Sequence, residues 1–238
     1  MKKSHGAEFG LVLMLSLGAS SIWSLISLLR KLTSEQGLAG STTAINRPLA
    51  QNPLIDLLSQ LANISLALVP VLLALYWLNQ DQVKIGLTPQ AGDLVQVLGV
   101  AALVGIPGIG LYFLALELGV TSQVLPSTLG NNWWTIPVLL LAAFKAGLLE
   151  EVIAAAFFSE KLRLWRPEIS ITVIILLSAL FRASYHLYQG YSAFVGNFVM
   201  GLVFAYWYHR TNRVAPLVLA HFVMDAVVFV GYPLVFGS

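Results

Sequence analysis

The sequence contains no cysteine. Disulfides, thiolate metal ligands and a cysteine nucleophile are therefore excluded. Charge is scarce as well: Asp, Glu, Lys and Arg make up 10% of the 238 residues, against about 25% in a soluble globular domain. So few charges cannot coat a water-facing surface. The formal net charge of +2 is too small to recruit nucleic acid, and no such partner is expected. Internal repeats, low-complexity tracts, the alternating polarity of a membrane barrel and the H-E-x-x-H zinc spacing are all missing too.

Apolar residues, at 58%, dominate instead. They gather into seven segments, 9–29, 54–78, 94–120, 135–164, 169–188, 193–208 and 214–236. Each is judged against the about 20 residues that a hydrocarbon core of about 30 Å requires. Surrounded by lipid, such a run satisfies its backbone only as a helix. The expected fold is therefore all-α: a polytopic membrane protein of about seven transmembrane helices in one bundle, with residues 1–238 forming a single domain. The polar stretch 31–53 reads as a surface loop, and Pro89, Gly92, Pro167 and Gln189-Gly190 punctuate other connections. Gly105, Pro107 and Gly108 mark a candidate break in the third helix.

The apolar run after Lys2 and Lys3 is about 20 residues, longer than the core of a cleaved signal, so it reads as an anchor helix. One side of the bundle would hold Lys2, Lys3, Lys84, Lys161, Arg163, Arg166, Arg210 and Arg213; the other holds Arg30, Lys31 and Arg47. Basic residues accumulate on the cytoplasmic side. This bias predicts a cytoplasmic N-terminus, an external C-terminus and a place in the cell membrane, with lipid as the first partner.

Ionisable residues inside the apolar segments carry the functional information. Lys145, Glu150, Glu151, Arg182, His186, His221 and Asp225 all lie there. An Asp, Lys or Arg near a helix centre costs about 2.5–3.5 kcal/mol on insertion scales, so it pairs, faces a cavity or performs chemistry. Adjacent helix positions point about 100° apart. One of Glu150 and Glu151 can thus face a cavity while the other meets a cation on a neighbouring helix. Arg182 and His186 are four apart and would share a helix face with Ser178 and Gln189. His221 and Asp225 repeat that spacing, and the carboxylate could orient the imidazole. At about 1.5 Å per residue, Glu150, His186, Asp225 and His221 fall roughly 21, 26, 17 and 11 Å above one membrane face. Helix tilt permits them to converge. Asn197, early on the sixth segment, has a compatible depth.

A Glu-Glu pair, a histidine preceded by an aromatic residue at the end of the next helix, and an H-x-x-x-D on the last helix resemble the CPBP (Abi) family of CAAX prenyl endopeptidases and bacteriocin-processing or immunity proteins. The resemblance covers a core of about 130–236, and Arg182-Ala-Ser-Tyr-His186 and His221-Phe-Val-Met-Asp225 carry most of it. It implies that Glu150 activates water with His186, and that His221 and Asp225 stabilise the oxyanion, with Glu151, Arg182 and Asn197 in support. Three departures stand out. Ala155 replaces the arginine of the family's E-E-x-x-x-R, Arg182 stands four residues before His186 where the family has Phe, and Asp225 stands where Asn is common. Arg182 would then supply from the fifth helix the cation that the fourth lacks.

The resemblance implies an intramembrane endopeptidase acting on hydrophobic or lipid-anchored protein substrates. Zinc could be held by Glu150, His186 and His221 with a position open for water, or the glutamate could work without metal; the residues leave both open. The same intramembrane charges also suit a transporter or proton relay, although no repeat supports one. An inactive scaffold of the same family is the third reading.

Overall fold

The structure is a computed structural model that describes residues 4–232. Helices dominate. The first apolar segment forms α1 (His5–Met14) and α2 (Leu17–Leu32), bent by 48° at their junction. Ser16 at the junction turns its hydroxyl back onto the Val12 and Leu13 carbonyls, at 2.5 and 3.3 Å, which competes with the helical ladder. Helices α3 (Pro53–Ala67) and α4 (Val69–Gln80) make one span, opened by Pro53 and by the Asn52 side chain, which accepts from the Leu54 and Ile55 amides. Helix α5 (Asp93–Glu117) carries Pro107 inside it and runs through without the break that its Gly-Pro-Gly pattern suggested.

The second half is α6 (Thr135–Glu150), a π-helical stretch (Glu151–Phe157), α7 (Phe158–Trp165), α8 (Ile171–Ser184), a 3-10 turn (Leu187–Gln189), α9 (Tyr191–Thr211) and α10 (Ala215–Ala226), which ends in a second π turn (Val227–Gly231). The first π stretch is fully buried. Val152, Ile153, Ala156 and Phe157 pack with Val71, Leu78, Val100, Phe204 and Leu217 to form the main core.

Two sequence expectations need correction, and a third is met only in part. First, the fold is not purely helical: β1 (Thr42–Asn46), inside the expected surface loop, pairs in parallel with β2 (Gln123–Ser127). Parallel partners lie far apart in sequence, so neither strand announces the other. Second, the count of seven spans is not confirmed: among the described residues two helical spans, Pro53–Gln80 and Asp93–Glu117, are long and apolar enough to cross a membrane, or three if α1 and α2 count as one. The described parts of the remaining four segments are largely helical, but their helices are shorter or more polar. Third, Lys161 is not a loop charge. It is fully buried and bridges Glu8 and, at 2.5 Å, Asp81, tying α1 and the end of α4 to α7. Lys2, Lys3 and the end of segment 214–236 lie outside the described residues.

The apolar side chains of the long spans face outward: Leu54, Leu58, Leu66 and Leu72 on one, Val95, Leu103 and Ile106 on the other, are all exposed. Water would not tolerate such a surface. The chain is an integral membrane protein.

Candidate active site

Glu150 is the last residue of α6 and Glu151 the first of the π stretch. The wider turn that begins there leaves backbone carbonyls to be satisfied from outside, and Ser178 of α8 donates to the Ala154 carbonyl at 2.6 Å. The two carboxylates divide as helix geometry requires. Glu150 borders a cavity of about 950 Å³, and Glu151, fully buried, points away from it.

Behind the cavity wall, one Glu151 oxygen accepts from Arg182 at 2.5 Å and meets His221 Nδ1 at 2.6 Å. Arg182 is 1% exposed, lies 5.4 Å over the Phe204 ring, and also reaches Glu150 Oε2 at 3.4 Å. The guanidinium from α8 thus serves both acids, and Ala155, where the motif the sequence resembles has its arginine, is buried.

On the cavity side, Glu150 Oε2 takes two further contacts: the Tyr185 hydroxyl donates at 3.0 Å, and His186 Nε2 lies at 3.3 Å. Among the described residues, Oε1 makes no hydrogen bond to the protein and is not sealed off. His221 Nε2 faces Asp225 Oδ2 at 3.6 Å, and both residues line the cavity. Asn197 lines it too, with its amide donating to the Ala193 carbonyl at 2.9 Å. Six of the seven expected residues are thus linked by direct contacts, whereas Asn197 shares only the cavity. One detail differs: α8 ends at Ser184, so His186 sits in the turn beyond it and does not share a helix face with Arg182.

Several positioning groups escaped the sequence reading. Tyr185 was visible only as the aromatic neighbour of His186. Gly147 and Gly201 allow close helix contacts. A Cβ at 147 would lie 2.7 Å from the Val218 carbonyl of α10, and one at 201 would lie 2.7 Å from Ala179 Cα of α8. Gly147 is what lets His221 reach Glu151. Gly147→Ala should force α6 from α10, cost roughly 1–3 kcal/mol by overpacking, and lower activity; thermal unfolding in detergent alongside a rate measurement reads both.

The turn that carries His186 is held from α2, distant in sequence. Ser24 accepts from the Tyr188 amide at 2.7 Å, Lys31 donates to the Tyr188 carbonyl at 2.5 Å, and the Ser21 and Ser184 hydroxyls meet at 2.7 Å. Lys31 also bonds Ser122 at 3.1 Å and Thr43, which joins this clamp to the β1–β2 ribbon. Residues of the first segment thereby fix the position of His186.

The zinc set does not fit these positions. The ligand atoms of Glu150, His186 and His221 do not all come within 4.8 Å of one another. Among the described residues, the one group whose ligand atoms lie mutually within 4.8 Å is His5, Glu8 and Asp81, where Lys161 already supplies the cation.

Fold and site together define an integral membrane protein built around a buried acid–imidazole centre. Residues 132–227 match the family described as type II CAAX prenyl endopeptidase Rce1-like, the protease family that the motifs resemble. The matched stretch is less than half of the chain; it contains every residue from Glu150 to Asp225 and leaves out α1–α5 and the ribbon. No curated protein and no solved structure matches the chain.

Proposed function

We propose that this protein is an intramembrane endopeptidase that hydrolyses peptide bonds of membrane-associated substrates with a water activated by Glu150 and His186. In this reading all seven apolar segments lie in the cell membrane, with the N-terminus cytoplasmic. The observation that carries it is the asymmetry of Glu150. Three donors converge on Oε2, while Oε1 is left toward a cavity walled also by His186, His221 and Asp225. A carboxylate pinned in this way presents one basic oxygen in a fixed direction, as general base catalysis needs.

The steps balance without a further reactant. Glu150 Oε1 takes a proton from water as its oxygen attacks the scissile carbonyl carbon. His221, set between the carboxylates of Glu151 and Asp225, donates from Nε2 to the oxyanion. Glu150, relayed by His186, returns the proton to the leaving nitrogen as the C–N bond breaks. The products are a carboxylic acid and an amine. Arg182 offsets the charge of Glu151, its nearer carboxylate, and so relieves the repulsion between Glu151 and Glu150.

The family's description suggests a prenylated substrate. The test is cleavage, by purified protein in detergent, of a quenched fluorescent peptide ending in S-farnesylcysteine and three apolar residues, beside its unprenylated counterpart. Cleavage of the farnesylated form is expected. Failure to cut either, or equal cutting by the wild type and His186→Ala, overturns the protease reading. Since the donors do not converge on a metal position, a chelator should leave the rate unchanged; loss on chelation and recovery with zinc would contradict this.

A further inference from the structure

The cavity is lined by charges of both signs. Glu150, Asp225 and the two histidines line it, and so do Lys145 of α6 and Arg47, just beyond β1. Lys145 stands deep in an apolar helix and is half-buried. Among the described residues it makes no hydrogen bond and no ion pair. Asp225 lines the same cavity, but the two are not in ion-pair contact, and Asp225 is engaged with His221. An intramembrane ammonium that no described residue contacts, facing a cavity, calls for a partner supplied by a ligand. Asp56, an acid on α3, is not that partner: it is buried and bonded to the Leu49 amide and Gln60.

The geometry points to an anion subsite in which Lys145, with Arg47 toward the ribbon, binds a carboxylate of the peptide whose bond is cut at Glu150. Lys145 precedes Glu150 by five residues, a rise of about 7.5 Å along the helix. An extended peptide covers that in two to three residues. The carboxylate thus belongs two or three residues from the scissile bond, either as the free C-terminus or as an Asp or Glu side chain. Against walls that are largely apolar, a charge-assisted hydrogen bond to it gains strength. The inference rests on the protease reading for the identity of the ligand but not for the binding itself.

The subsite is tested by binding in the Glu150→Gln protein, which does not consume its ligand. The probe is a fluorescein-labelled peptide ending in S-farnesylcysteine and three apolar residues, in uncharged detergent. It is prepared as the C-terminal acid, as the amide, and as the amide with aspartate as its last residue. The acid should bind about tenfold tighter than the plain amide. The third form tells whether a side-chain carboxylate serves as well. Adding Lys145→Met should abolish the preference, and Lys145→Arg should retain it. Equal affinity for acid and amide, absence of binding included, overturns the subsite, as does a preference that survives Lys145→Met. Cleavage by the wild type with no acid preference would remove the subsite alone. An acid preference without cleavage would remove the protease reading alone.

Discussion

Glu150→Gln should lower the rate of peptide hydrolysis by about 10²–10⁴-fold, the span that a positioned general base contributes. The amide is nearly isosteric and can still accept from Tyr185 and Arg182 through its carbonyl, so the fold should survive. Its nitrogen, however, takes no proton from water. Measured as kcat and KM, the loss should fall on kcat, because the missing interaction belongs to the transition state. The helical spectrum and the elution volume in detergent should be those of the wild type. A Glu150→Gln protein that retains wild-type turnover would show that Oε1 is not the base, and the cavity would need another explanation.

The second large effect concerns Arg182, and here the loss is of stability. Its guanidinium lies 2.5 Å from Glu151, and both groups are sealed from solvent. Removing one partner of a buried pair leaves the other charge uncompensated, at a cost of about 3–5 kcal/mol. Arg182→Met should therefore unfold at a much lower temperature, with His221 alone left to face Glu151. Arg182→Glu should be worse, because it packs a third carboxylate against Glu150 and Glu151. Adding Glu151→Lys to that variant restores an opposite-charge pair across the same helices, and at least part of the lost stability should return. Thermal unfolding in detergent distinguishes the cases. A double variant no more stable than Arg182→Glu would sink the pairing as the reason for the arginine.

Much of the candidate site could be read from residue types alone. Glu150, Glu151, Arg182, His186, His221 and Asp225 are conspicuous because an apolar helix has no cheap place for them. Lys145 is conspicuous for the same reason, although its role depends on what it faces. Gly147 looks like any glycine in a membrane helix, yet its missing side chain is what joins α6 to α10. Ser24 and Lys31 look like the polar edge of an anchor helix. They hold the turn of His186 across more than 150 residues of chain. No periodicity within one helix encodes such a contact.

From sequence alone come the solvent, the dominance of helices and the identity of the buried acids and imidazoles. These follow from local quantities: the cost of moving charge into lipid, and the need to close every backbone hydrogen bond within a segment. Tertiary structure alone decides which carboxylate faces the cavity and which is neutralised behind it. It also decides that His186 lies beyond its helix, that a parallel ribbon joins two distant loops, and that Lys145 looks into the same space as Glu150. All of these depend on how helices are rotated and how closely they approach, and packing between residues far apart in the chain sets both.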